Sequence, residues 1–148
     1  MKETTLILCK PDAVERQLVG SILNRYEAKG LQIIAMKLMK VSKEQASKHY
    51  AEHKDKSFFS ELINFITGSA VVAIALRGNN AIEIARNING ATNPVKALPG
   101  TIRGDFATNP TFNLVHASDS EESALRELNI FFDENEYIEY QNTSQKWL

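Results

Sequence analysis

Ala70-Val71-Val72-Ala73-Ile74-Ala75-Leu76 is seven apolar residues in a row. A run of this length and composition predicts a central strand of a sheet. Working back from it, Gly68 closes a helix with Phe59, Leu62, Ile63 and Ile66 turned inward. A polar stretch, residues 52–57, precedes that helix. Ser42 and Gln45 form a capping box that opens another, running through Tyr50. Residues 32–40 read as a strand, with Ile34, Met36 and Leu38 on one side. Val19, Ile22, Leu23 and Tyr26 recur at helical spacing, and Gly30 ends their helix in a left-handed cap. Leu6-Ile7-Leu8-Cys9 is a short buried strand, stopped by Lys10-Pro11-Asp12.

Forward from the apolar run, Asn79 or Asn80 caps a helix on which Ala81, Ala85 and Ile88 share a face. Residues 90–113 differ in character. They hold Gly90, Pro94, Pro99, Gly100, Gly104 and Pro110 and show little periodicity. So long an irregular segment points to function or disorder. Asn113-Leu114-Val115-His116 reads as a fourth strand. Asp119 and Glu122 repeat the capping pattern and open a helix with Leu125 and Leu128 inward. The tail carries Phe131, Phe132, Tyr137, Tyr140 and Trp147 and is expected to pack on the body or on a neighbour. The whole predicts one α+β domain over residues 1–148. It is a sandwich, with helices on one face of a four-stranded antiparallel sheet and the other face partly free.

The totals exclude several classes. The chain has 148 residues, 43% hydrophobic and 24% charged, with a net charge of -1. A general nucleic-acid binder or anionic-membrane binder needs a basic excess. Cys9 is the one cysteine, so neither an intrachain disulfide nor a cysteine zinc site forms. The apolar stretch near the start is too short for a signal peptide, and no run approaches the roughly 20 residues of a membrane helix. A cytoplasmic location is expected.

Phosphate chemistry, if present, rests on side chains, because neither glycine-rich phosphate motif occurs. Lys10 follows the first strand; by itself it is an ordinary lysine at a turn. Arg86 by itself suits the negative pole of its helix. Arg103, in Thr101-Ile102-Arg103-Gly104-Asp105, is either a partner of Asp105 or a planar fork for phosphate oxygens. His116 ends an apolar strand just before a helix start, where backbone amides favour a negative group. Glu127 can fold back to its ring, leaving the other nitrogen more nucleophilic. His49 and His53, four apart, read as solvent-facing. Of Phe58-Phe59, core packing is the first reading and base stacking the second.

Four separated motifs, in order, resemble the nucleoside diphosphate kinases. Asn113-Leu114-Val115-His116-Ala117-Ser118-Asp119 looks like their active-site signature. Thr92-Asn93-Pro94 and Pro99-Gly100-Thr101-Ile102-Arg103-Gly104-Asp105-Phe106 look like their long nucleotide-binding loop. Lys10-Pro11-Asp12 and His49-Tyr50 match as well. Ala117, Pro110 and Ser57 stand where the family more often has glycine, a branched apolar residue and proline. The resemblance implies a ferredoxin-like sheet and a homo-oligomer, tetramer or hexamer. It implies reversible transfer of the terminal phosphate of a nucleoside triphosphate (ATP, GTP) to a nucleoside or deoxynucleoside diphosphate. The route is a phosphohistidine, with Mg²⁺ held mainly by the nucleotide's phosphates. The nucleophile would be His116, supported by Glu127 and Ser118. Lys10, Tyr50, Arg86, Thr92 and Arg103 would hold phosphates, Asn113 with Lys10 would contact the sugar, and Phe58 with Leu62 would receive the base. The alternative is a nucleotide-binding module of the same fold without catalysis.

Overall fold

The computed structural model describes residues 2–148. The apolar run falls in β3 (Val71–Asn79), which lies between β2 (Gln32–Met39) and β1 (Lys2–Cys9). β4 (Val115–Ala117) pairs with the far side of β1. The order is β2-β3-β1-β4 and each pairing is antiparallel. The described residues also form seven α-helices, joined by short 3-10 turns: α1 (Pro11–Glu15), α2 (Val19–Ala28), α3 (Lys43–His49), α4 (Phe59–Thr67), α5 (Ala81–Asn89), α6 (Ile102–Phe106) and α7 (Glu121–Phe131). Among the described residues, no helix is long and apolar enough to cross a membrane.

The ferredoxin-like α+β class is the one expected, but the helices cover both faces of the sheet rather than one. Successive strand residues point to opposite sides. Ile7 and Cys9 of β1, with Val72, Ile74 and Leu76 of β3, pack against Ile22 and Tyr26 of α2 and Ala81 and Ala85 of α5. Leu6, Leu8, Val71, Ala73 and Ala75 face the other way, onto Ala46 of α3, Ile63 and Ile66 of α4, and Leu128 and Phe131 of α7. The uninterrupted apolar run is what a doubly covered strand requires, because both of its sides lie in a core.

Three local expectations are corrected by geometry. Met36 and Leu38 do not share the buried side of Ile34; they are 51% and 68% exposed, against 3% for Ile34. The pairing register jumps between Ile33 and Ala35, and this bulge resets the alternation of every later β2 residue. Leu125 is exposed, and Ala124, Leu128 and Phe131 form the inner face of α7. That helix opens at Ser120, whose hydroxyl accepts from the Ser123 amide, one residue later than the Asp119 pattern placed it. At α5, Asn80 occupies the capping position without a side-chain bond; Glu3 Oε2 instead accepts from the Ile82 amide at 3.0 Å.

The segment after α5 is ordered. A short 3-10 turn (Pro94–Lys96) and α6 lie within it. Thr101 caps α6, and Gly104 is needed there, since a Cβ would sit 2.0 Å from the Leu98 carbonyl oxygen. The tail returns along β2: the Ile138 amide donates to the Ile34 carbonyl at 2.9 Å, and Lys37 pairs with Glu136 at 2.9 Å. Phe132 is buried, whereas Trp147 is 78% exposed. Replacing the fully buried Ile74 with Ala should cost roughly 2–5 kcal/mol of stability in urea denaturation; a loss below about 1 kcal/mol would contradict its place in the core.

Candidate functional site

β4 is only three residues long, and His116 is its middle one, opposite Leu8 of β1. The carbonyls on either side are gripped by arginines. Arg103 Nη2 donates to the Val115 carbonyl at 2.6 Å, and Arg86 Nη1 to the Ala117 carbonyl at 3.1 Å. Arg103 also donates to the carbonyls of Asn113 at 3.2 Å and Gly90 at 2.8 Å. It therefore ties α6, the loop and β4 together, and it is not the partner of Asp105. That carboxylate pairs with Arg25 at 2.8 Å. Just before the strand, Leu114 sits at φ 73° while fully buried. A left-handed leucine costs of order 1–3 kcal/mol. It is held there by Asp12 Oδ2, which accepts from the Leu114 amide at 3.0 Å, and by the Lys10 amide, which donates to the Leu114 carbonyl at 2.8 Å.

The His116 ring is fixed from α7. Its Nε2 lies 2.7 Å from Glu127 Oε1, and the Ser118 hydroxyl donates to the same oxygen at 2.7 Å. Burial raises the Glu127 pKa, but the bonds from His116 and Ser118 and the nearby imidazoles outweigh it, and the net shift is downward. An ionised carboxylate only accepts, so Nε2 carries the proton. In the neutral ring the lone pair is then on Nδ1.

Around this ring lies a cavity of about 300 Å³ whose lining includes Lys10, Tyr50, Arg86, Thr92, Arg103 and Asn113. Lys10 Nζ donates to Asn113 Oδ1 at 2.8 Å, and Asn113 Nδ2 donates to the Thr92 carbonyl at 3.0 Å. Burial, then the Arg103 charge, push the Lys10 amine down to about 8 against the pull of Asp12. Burial also depresses Arg103 below the ordinary arginine value and holds the Tyr50 phenol up at about 12. A second cavity of about 370 Å³ adjoins the first and shares Lys10, Tyr50, His53, Thr92 and Asn113 with it. Phe58, Leu62 and Pro110 line its far part. The residues that the resemblance assigned to the site thus line these two adjoining spaces, except the fully buried Ser118, which reaches the site through Glu127.

His49 was misread. It is 6% exposed and stands edge-on to His116, ring centroids 4.6 Å apart. Its spacing of three from the buried Ala46 was the available signal, since both fall on the inner face of α3. His53 lines both cavities as well.

The family model for nucleoside diphosphate kinase matches residues 3–137. The chain belongs to the nucleoside diphosphate kinase family. It is 53% identical to the nucleoside diphosphate kinase of Bacillus licheniformis, over 99% of both chains. With the one from Archaeoglobus fulgidus it shares 48% identity over 99% of this chain and 97% of that one. The halophilic nucleoside diphosphate kinase of Halobacterium salinarum, solved in complex with CDP, superposes with a TM-score of 0.96 at 41% identity, covering 99% of this chain and 98% of that one. A Babesia bovis family member gives 0.96 at 43%, covering 98% of each. As a nucleoside diphosphate kinase, this enzyme moves a terminal phosphate between nucleotides, and like nucleotide kinases in general it works with a divalent metal.

The depressed Lys10 gives a stability test. Its folded pKa of about 8 lies below its ordinary 10.5, so between those values the unfolded chain binds more protons and Lys10 favours folding increasingly as pH rises. Lys10→Met should therefore be stabilised relative to the parent near pH 7, with that advantage shrinking toward pH 10.5. Urea titrations of both proteins across this range read the difference; a constant gap would contradict the buried charge.

Proposed function

We propose that Nδ1 of His116 takes the terminal phosphoryl group from a nucleoside triphosphate and hands it to a nucleoside diphosphate in a two-step exchange. The observation that carries this reading is the 2.7 Å contact between His116 Nε2 and Glu127 Oε1. It commits one nitrogen and leaves the other with a lone pair in a cavity lined by Lys10, Arg86 and Arg103. The Nδ1 lone pair attacks phosphorus while the bond to the bridging oxygen breaks and the diphosphate leaves. The ring gains positive character, and the Glu127 carboxylate stabilises it through the retained Nε2 proton. Ser118 holds that carboxylate in place. The second nucleotide reverses each step. Because the transition state is loose, alignment and charge neutralisation carry most of the catalysis.

In this reading Lys10, Tyr50, Arg86, Thr92 and Arg103 bind phosphate oxygens, and Asn113 with Lys10 binds the sugar. Phe58, which is 41% exposed, stacks on the base, with Leu62 and Pro110 beside it. Stacking reads no hydrogen-bond pattern, so ATP, GTP and deoxynucleotides are all accepted. The divalent metal is Mg²⁺. Glu127 is committed to His116 and Ser118, and the Asp119 carboxylate is engaged by Ser123. The third carboxylate in the lining, Glu52, stands 3.9 Å from Arg126, so the carboxylates are each engaged elsewhere, which fits magnesium carried on the phosphates with its waters. Once bound, it neutralises phosphate charge. Residues 1–148 act as one cytoplasmic domain that assembles as a homo-oligomer, tetramer or hexamer. The bare side chains of Met36 and Leu38 on edge strand β2 support assembly.

His116→Gln should bind nucleotide but form no acid-labile phosphohistidine when incubated with labelled ATP; full exchange activity in that variant would refute the nucleophile. Arg103→Ala should lower kcat/KM at least about tenfold, as charge-assisted contacts are worth roughly 1.5–3 kcal/mol. An unchanged value would remove Arg103 from phosphate handling.

A further inference from the structure

One donor atom each from His49 of α3, His116 of β4 and Glu127 of α7 lie within 4.8 Å of one another. His49 is nine-tenths buried, and its Nδ1 has no hydrogen-bond partner, an unusual state for a buried ring nitrogen. Its imidazole meets that of His116 at 83°. The charged and titratable groups around it are His116, Glu127, Arg126 and Lys10. Two imidazoles and one carboxylate suit zinc and its neighbours. Magnesium prefers oxygen alone.

We propose that His49, His116 and Glu127 form a site for a divalent transition-metal ion of the zinc class, and that its occupation disables His116 as a phosphoryl acceptor. Metal bonds of about 2.0–2.2 Å set ligand atoms roughly 3.4 Å apart, so His49 must draw in while His116 Nε2 and Glu127 Oε1, now 2.7 Å apart, must separate to admit the ion. The ion takes the Nε2 lone pair of His116, and the ring proton moves from Nε2 to Nδ1. No proton is gained or lost, but Nδ1 no longer has an electron pair for phosphorus. Ser118 continues to orient Glu127, now as a metal ligand. The fourth position opens into the cavity and takes water or an anion's oxygen. The site itself is independent of the mechanism above; the disabling of His116 rests on it.

Equilibrium dialysis of the full chain against zinc, with magnesium in large excess, should leave one zinc per chain. Cobalt in its place should give the strong visible bands of a tetrahedral site. His49→Gln should weaken zinc at least about tenfold with an unchanged circular dichroism spectrum, while His53→Gln should not. Absence of zinc from the parent, octahedral cobalt spectra, or equal affinity in His49→Gln would overturn the site, and an equal loss in His53→Gln would overturn its ligand set. With magnesium and labelled ATP supplied to both, zinc-loaded enzyme should form phosphoenzyme at least tenfold more slowly than zinc-free enzyme, and a zinc-selective chelator should restore the rate. Undiminished labelling with zinc in place would overturn only the disabling of His116. Absence of phosphoenzyme from the zinc-free chain supplied with magnesium would sink the nucleophile assignment and not the metal site.

Discussion

The arrangement depends on one carboxylate oxygen. Glu127 Oε1 receives both the Nε2 proton of His116 and the Ser118 hydroxyl, each at 2.7 Å. A buried carboxylate is costly unless it is bonded, and here the two donors that relieve it are also the groups it must orient. The bond decides the tautomer of the imidazole, and the tautomer decides which nitrogen has a lone pair. It also bridges α7 to β4, so the packing of Leu128 and Phe131 on the sheet sets the position of a ring atom in the cavity.

The doubly covered sheet makes this possible. β4 is too short to be stable by its own pairing, and it draws its rigidity from both sides. Arg86 and Arg103 hold its carbonyls, and Asp12 and Lys10 hold the strained Leu114 that leads into it. Three of these four residues, the exception being Asp12, also line the cavity; Arg86 and Arg103 grip β4 with their guanidiniums, while Lys10 holds Leu114 with its backbone amide and Asn113 with its Nζ. The cations that face a ligand are therefore the same ones that build the wall. Their charge is concentrated and partly desolvated before any anion arrives, as the lowered Lys10 and Arg103 values reflect.

Much of this was legible because its signals are local. The apolar run, the helical spacing around Ile22 and Tyr26, and the Ser42–Gln45 capping box each follow from a few neighbouring residues. The candidate site residues were legible as motifs, and the structure gathers them around two adjoining cavities, with Ser118 buried behind Glu127. What was hidden depends on non-local geometry. The bulge at Ile34 reverses Met36 and Leu38, and nothing in the sequence marks it. The Arg25–Asp105 pair joins residues far apart in the chain, whereas the motif suggested the near neighbour Arg103. Coverage of the second sheet face could not be told from the order of elements. His49 lay within reach, since its spacing from Ala46 placed it inward, but a polar residue near a helix end looks like surface.

The two adjoining cavities overlap at Lys10, Tyr50, His53, Thr92 and Asn113 and differ elsewhere. Phe58, Leu62 and Pro110 line the second space and not the first, while Arg86, Arg103 and His116 line the first and not the second. The protein is thereby modular at the scale of a single ligand. Evolution, or an engineer seeking polymerase feedstocks with unnatural bases, can redraw the outer room without disturbing the charged inner one.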